Sequence, residues 1–137
     1  MVEFIARDFG HSNCPVGNLV QISFIQFVEE PELDEGLILN LVGDPTACTY
    51  SIVDQDQNCA AECIEECTLS RDCLTIRLDD VGVSGLHASG YKVNFKANTT
   101  ELSGLREGIK AVLRCSGSTR FVTVFDDVRG VTVWKKE

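Results

Sequence analysis

The sequence predicts an all-β protein, an antiparallel β-sandwich with one short helix that carries cysteines. Roughly eight or nine short runs rich in β-branched and aromatic residues follow one another, separated by turn-forming residues. These runs do not alternate with long helical segments, as they would in a parallel α/β sheet. Because 137 residues suffice for one core, we expect a single domain over residues 1–137.

The first half of the chain contains four predicted strands and two predicted loops. The strands cover residues 2–7, 19–28, 37–42 and 48–53. The second of these is almost entirely apolar, which is typical of a central strand covered on both faces. Residues 8–18 contain Pro15 and two glycines and are predicted as a loop, and the acidic residues 29–36 are predicted as a solvated loop.

Five further strands are predicted in the second half, at residues 73–78, 91–97, 109–115, 120–125 and 131–134. Residues 91–97 alternate most regularly: Tyr91, Val93 and Phe95 share one face of the strand. Residues 81–90 are small and flexible and are predicted as a loop, as is the longer connection 98–108.

One stretch near the middle, NCAAECIEECTLSRDC, holds four of the seven cysteines. Cys59, Cys63 and Cys67 are four residues apart, so on a helix they lie on one face. This spacing predicts a helical insertion at about residues 58–70. Thiols spread along a helix would each reach a different strand, and sequence alone does not assign the pairs. The disulfide candidates are Cys14, Cys48, Cys59, Cys63, Cys67, Cys73 and Cys115.

The odd number of cysteines predicts a free thiol or a disulfide between chains. Residues 1–13 have no basic segment followed by an apolar one, so no secretory signal is expected. Two origins then fit a cysteine-rich chain. It is made in a cytoplasm and oxidised later, as in a virus particle, or it is a secreted chain whose signal was trimmed.

A second pattern overlaps the cysteine stretch. Counting from Asp54, oxygen-bearing side chains occupy positions 1, 3, 5, 9 and 12, the ligand spacing of a calcium-binding EF-hand loop. Cys59 stands where that loop requires glycine. Calcium is therefore a candidate cofactor, beside the alternative that these residues only cap the helix. The candidate ligands are Asp54, Asp56, Asn58 and Glu65.

Catalysis and nucleic-acid binding find little support in the sequence. His11 and His87 lie in Gly- and Ser-rich segments without a nucleophile motif, so we expect no enzymatic activity. The net charge of −9 argues against binding to nucleic acids or anionic membranes, which attract basic surfaces. No apolar run approaches the roughly 20 residues that span a bilayer.

The segments TIRLDDVGVSG, GYKVNFKANTTELSGLREG and IKAVLRCSGSTRFVTVF resemble the later strands of immunoglobulin-like domains found as accessory modules on tailed-bacteriophage virions. The resemblance implies an immunoglobulin-like or jelly-roll sandwich. It also implies a structural subunit, a capsid decoration or neck/tail accessory protein, located in the virion. Its partners would be copies of itself or other capsid or tail proteins, joined in part by disulfides. The alternative is an extracellular, disulfide-stabilised binding module that depends on calcium.

Overall fold

The computed structural model describes residues 1–13, 20–26, 37–117, 119–126 and 130–137. Within them the chain forms ten strands and two helices, so the fold is mostly β, as the sequence predicted. The elements, in chain order, are β1 (Val2–Asn13), β2 (Val20–Gln26), β3 (Leu37–Asp44), β4 (Thr49–Asp54), β5 (Cys59–Ala61), β6 (Ile64–Leu69), β7 (Cys73–Leu78), α1 (Asp80–Leu86), β8 (Gly90–Asn94), α2 (Thr99–Leu113), β9 (Phe121–Asp126) and β10 (Val131–Lys136).

The strands form two sheets that share β1. The first half of β1 pairs in parallel with β8, and its second half pairs antiparallel with β2. The register shifts between Ala6 and Asp8, where β1 passes from one sheet into the other. The strand order is β5-β4-β3-β2-β1-β8-β7-β6-β10-β9, and every described pair except β1–β8 is antiparallel.

The sheet formed by the first half of β1 with β8, β7, β6, β10 and β9 has one buried face. On this inner face, rows of side chains run across the strands. In one row, Trp134 lies opposite Cys67, Cys67 opposite Ile76, and Ile76 opposite Tyr91. All four side chains are buried. Alternate residues of a strand share a face, so each strand contributes one buried residue to each row. Burying an apolar side chain of this size stabilises the fold by about 1.5–3 kcal/mol.

Helix α2 begins with a reciprocal cap. Asn98 accepts a hydrogen bond from the backbone N–H of Glu101 at 2.8 Å, and the Glu101 carboxylate accepts one from the N–H of Asn98 at 3.1 Å. The buried residues Leu105, Ile109 and Val112 recur at three- to four-residue spacing and form its apolar stripe. This helix packs on β1, β2 and β3, and both sheets and α2 contribute to one hydrophobic core.

The predicted cysteine-bearing helix at residues 58–70 is wrong, because these residues form β5 and β6. Four residues is a multiple of the two-residue strand period as well as about one helical turn, so the cysteine spacing did not discriminate between them. After the register shift between Ile64 and Glu66, burial follows the strand period: Cys67 and Leu69 are buried, whereas Thr68 between them is half-buried.

Both helices lie where the sequence predicted loops or a strand. Helix α1 replaces most of the loop 81–90, and α2 replaces the connection 98–108 and most of the strand 109–115. Glycines in the sequence argued against helix, since glycine is unfavourable there by about 1 kcal/mol. Packing requires some of them: a Cβ on Gly82 of α1 would lie 2.9 Å from the Cβ of Cys63.

The loop predicted at residues 8–18 is also corrected for its first part, since β1 extends through Asn13. Pairing with β2 accounts for the extension, because residues 8–13 of β1 lie opposite residues 20–25 of β2. The strands predicted at 19–28, 37–42, 48–53, 73–78, 120–125 and 131–134 are confirmed within a few residues. The acidic loop predicted at 29–36 lies outside the described residues.

The closest approach between α2 and β3 generates a first prediction. A Cβ on Gly43 would lie 2.6 Å from Sγ of Cys115 and 3.1 Å from Cα of Val112. Because backbone cannot yield as a flexible side chain does, Gly43→Ala is expected to lower the free energy of unfolding by about 1–3 kcal/mol in a urea titration.

The matched control is the double variant Gly43→Ala/Cys115→Ala, which removes the nearest atom. It is expected to lose less stability than the sum of the two single substitutions. Full additivity would show that the sulfur does not oppose the methyl group.

Candidate functional site

The six cysteines that the structure describes are all free. Cys48 and Cys59 are exposed, Cys73 is half-buried, and Cys63, Cys67 and Cys115 are buried. Cys14, the remaining disulfide candidate, lies outside the described residues. The described part of the structure therefore does not contain the predicted hub of disulfides radiating from the cysteine stretch.

The buried thiols act as small apolar side chains. Cys67 lies in the core row beside Trp134, and Cys63 lies under Gly82 of α1. Burial, followed by the charge of Asp79, raises the pKa of Cys63 to about 12, and burial also raises the pKa of Cys67. Thiols of this kind stay protonated at neutral pH and are poor nucleophiles and poor metal ligands.

The predicted calcium ligands have another role in the structure. Asp54 ends β4, and its Oδ1 accepts hydrogen bonds from the N–H groups of Asp56 and Asn58, both at 2.9 Å. Its Oδ2 accepts from Nδ2 of Asn58 at 3.1 Å. The carboxylate thus closes the turn between β4 and β5, while Glu65 lies on β6. Among the described residues, no group of three or more acidic, histidine or cysteine side chains could hold an ion.

The structure forms a cleft, which we call the α2–β9 cleft, between the C-terminal half of α2 and the inner face of β9 and β10. It encloses about 310 Å³. Three cationic side chains line it: Lys110, Arg114 and Arg120. Against a net charge of −9, this places a basic site on an acidic protein.

Two aromatic rings form part of the wall of the α2–β9 cleft, Phe121 of β9 and Trp134 of β10. Trp134 is 1% exposed, and its indole Nε1–H is buried without a hydrogen-bond acceptor among the described residues. A buried donor left unpaired is unfavourable by about 1–3 kcal/mol, so nearly all such groups in proteins have a partner.

A hydrogen bond holds the chain that follows α2 beside the cleft. The hydroxyl of Ser116 donates to Oε2 of Glu62 at 2.5 Å and accepts from the N–H of Thr119 at 3.0 Å. Glu62 connects β5 to β6 in a left-handed conformation, with φ of 55°, which is uncommon for a residue other than glycine. Its Oε1 is buried without a donor among the described residues. This contact joins the connection between β5 and β6 to the segment that follows α2.

Strand β9 also has an open side. It ends the described strand order and pairs only with β10. Its inner residues Phe121 and Thr123 line the cleft, so Val122 and Val124 face outward. These two valines are 46% and 49% exposed. Together with the half-buried Val131 and Val133 of β10, they form an apolar area that we call the edge patch.

Comparison of the chain with protein-family models, curated proteins and solved structures finds no match. Neither helix in the described ranges has the length and apolar character needed to cross a membrane. The fold and the two surfaces described above define the class: a mostly β protein with a basic, aromatic cleft and an apolar sheet edge.

Sequence reasoning missed both features. The cations of the cleft lie in and just after α2 and just before β9, and its rings lie on β9 and β10. Because residues 109–115 were predicted as a strand, the sequence did not indicate that Lys110 and Arg114 lie at the end of a helix. A usable signal was present, because Leu105, Ile109 and Val112 follow the helical period. Asn98 with Glu101 three residues later also marks a helix start.

The distribution of thiols predicts a labelling pattern. When the native monomer is treated with iodoacetamide, Cys48 and Cys59 are expected to be alkylated, because both are exposed in the single chain. Cys63, Cys67 and Cys115 are expected to react only in denaturant, since burial raises the pKa of each. Peptide mapping by mass spectrometry identifies each site. Peptides joined by a disulfide that contains Cys63, Cys67 or Cys115 would contradict this arrangement.

The buried thiol and phenol groups also predict that the fold loses stability at alkaline pH. The folded pKa of Cys63 is raised from 9.0 to about 12, and burial raises that of Tyr91 from 10.0 to about 12. The unfolded chain loses each of these protons near the ordinary pKa, whereas the folded chain keeps it up to the raised pKa. Raising the pH through this range therefore favours the unfolded state. The free energy of unfolding is therefore expected to fall between pH 9 and about 12.

The Cys63→Ala variant is expected to show a shallower decline over the same pH range, because it lacks the thiol that ionises. Urea titrations at several pH values measure both slopes. Parallel curves for the variant and the unaltered chain would rule out Cys63 as a contributor.

Proposed function

We propose that this chain is a non-enzymatic structural subunit that assembles with copies of itself through β9. The observation that carries the proposal is the exposed, apolar outer face of this edge strand. Val122 and Val124 are 46% and 49% exposed. Proteins commonly protect sheet edges with charge, proline or short strands, because an open edge pairs with another chain.

The sequence of β9 fits a second copy of itself. Residues 121–125 read Phe-Val-Thr-Val-Phe, the same in both directions. In an antiparallel pair of two copies about Thr123, Phe121 lies opposite Phe125 and Val122 opposite Val124 of the second copy. Aromatic and β-branched cross-strand pairs of this kind each contribute roughly 0.2–1 kcal/mol.

Pairing about Thr123 also has a simple symmetry. A two-fold axis through Thr123 makes the contact self-complementary, which is the commonest symmetry of protein dimers.

The opposite end of the strand order is less suited to pairing. Strand β5 has three residues, against six in β9, and short edge strands offer few hydrogen bonds. The contact between subunits is therefore assigned to β9. Reinforcement by disulfides between chains falls to Cys48 and Cys59, which are the exposed cysteines among the six described.

We assign the assembled particle to the virion class, as a capsid decoration or neck/tail accessory protein, and the two sheets to an immunoglobulin-like or jelly-roll sandwich. Both assignments rest on the sequence resemblance described above. A mostly β chain whose two sheets share a core is compatible with them.

Sedimentation of the purified chain tests the β9 contact. A concentration-dependent dimer is expected. Val124→Lys places a charge against an apolar partner and is expected to weaken dimerisation by about tenfold or more, or about 1.4 kcal/mol. The matched control is Val81→Lys, since Val81 is 63% exposed and lies on α1, which packs on β5 and β7. The control is expected to dimerise like the unaltered chain.

A monomer at all concentrations, or equal effects of the two lysine substitutions, would contradict assembly through β9. A non-reducing gel of the same samples examines the covalent part of the proposal. A dimer band that reductant removes supports disulfides between chains, and a monomer band alone argues against them.

A further inference from the structure

We propose that the α2–β9 cleft binds a small organic anion, a planar ring that carries a phosphate or carboxylate group. This site is separate from the β9 contact between subunits, because the cleft uses the inner face of β9 and the edge patch lies on its outer face. The inference rests on three features of the cleft: its cations, its aromatic wall and its size.

The cations of the cleft suit an oxyanion. Arg114 and Arg120 form no ion pair within the described part of the chain, and both are exposed at the cleft. Guanidinium groups bind carboxylates and phosphates through paired, charge-assisted hydrogen bonds. Lys110 is held nearby, with Nζ 3.7 Å from Oε1 of Glu107 and 5.0 Å from the centroid of the Phe125 ring. Glu137 is the one acidic residue in the described lining.

The apolar part of the cleft suits a ring. Phe121 and Trp134 line the same cavity as the cations, and stacking or edge contacts between aromatic rings favour a planar ligand. Trp134 is 1% exposed and Phe121 is half-buried, so Phe121 offers the more accessible ring.

The dimensions limit the ligand to a small molecule. A volume of about 310 Å³ lies at the lower end of the range for small-molecule sites, which is roughly 300–1,000 Å³. The hydroxyl of Thr123 on the inner face of β9 adds a polar group near the rings. The cleft thus combines a few polar groups with an apolar wall, the usual composition of such sites.

Fluorescence of Trp134 reports on the cleft directly, because it is the only tryptophan in the chain. Titration of the intact protein with phenyl phosphate at low ionic strength is expected to change its emission in a saturable manner. Inorganic phosphate, which lacks the ring, and benzyl alcohol, which lacks the charge, are each expected to bind about tenfold more weakly or worse.

Matched variants separate the site from general charge effects. Arg114→Gln/Arg120→Gln is expected to weaken phenyl phosphate binding by about tenfold or more, whereas Lys92→Gln, an exposed cation on β8, is expected to leave it unchanged. Far-UV circular dichroism confirms that each variant is folded.

No saturable change in emission, or equal affinity of the double arginine variant and Lys92→Gln, would overturn the proposal. Equal binding of inorganic phosphate and phenyl phosphate would overturn its aromatic part. The Val124→Lys variant is expected to bind phenyl phosphate like the unaltered chain. Binding and assembly can therefore fail independently of each other.

Discussion

The split pairing of β1 is the contact on which the rest of the structure depends. Its first residues hydrogen-bond in parallel to β8 and its last residues antiparallel to β2, so one strand belongs to both sheets. This continuity lets both sheets and α2 bury side chains in a common core. The parallel pair joins residues about ninety positions apart in sequence, since Phe4 lies opposite Val93. Closing so long a loop loses chain entropy, and the burial of Phe4, Ala6 and Val93 offsets part of that loss.

Small residues determine how closely the helices approach the sheets. Gly43 allows Cys115 to lie against β3, and Gly82 allows α1 to lie on Cys63. The cysteines therefore serve mainly as compact core residues, and their burial keeps them protonated and unreactive. Two of the described cysteines, Cys48 and Cys59, are exposed instead, which limits any thiol chemistry between chains to the surface. Cysteine count alone thus overstated the role of disulfides in the described part of this fold.

The two faces of β9 have different environments. The inner face meets α2 and contributes Phe121 and Thr123 to a basic cleft, whereas the outer face presents Val122 and Val124. Alternation along a strand separates these surfaces by one residue, so one short element carries both a candidate ligand site and a candidate subunit contact. The acidic chain gathers Lys110, Arg114 and Arg120 at the inner site, where the overall negative charge would otherwise repel an anion.

The sequence by itself determined most strands, because alternation and turn residues are local signals, as in residues 73–78 and 131–134. It did not determine the cysteine stretch, where a four-residue spacing suits helix and strand alike. Tertiary packing decided that stretch by placing Cys67 in the core row between Trp134 and Ile76. It also decided α1 and α2, whose glycines disfavour helix locally but permit close contacts. The cleft required the fold, because Arg114 and Trp134 meet only when α2 and β10 are both placed.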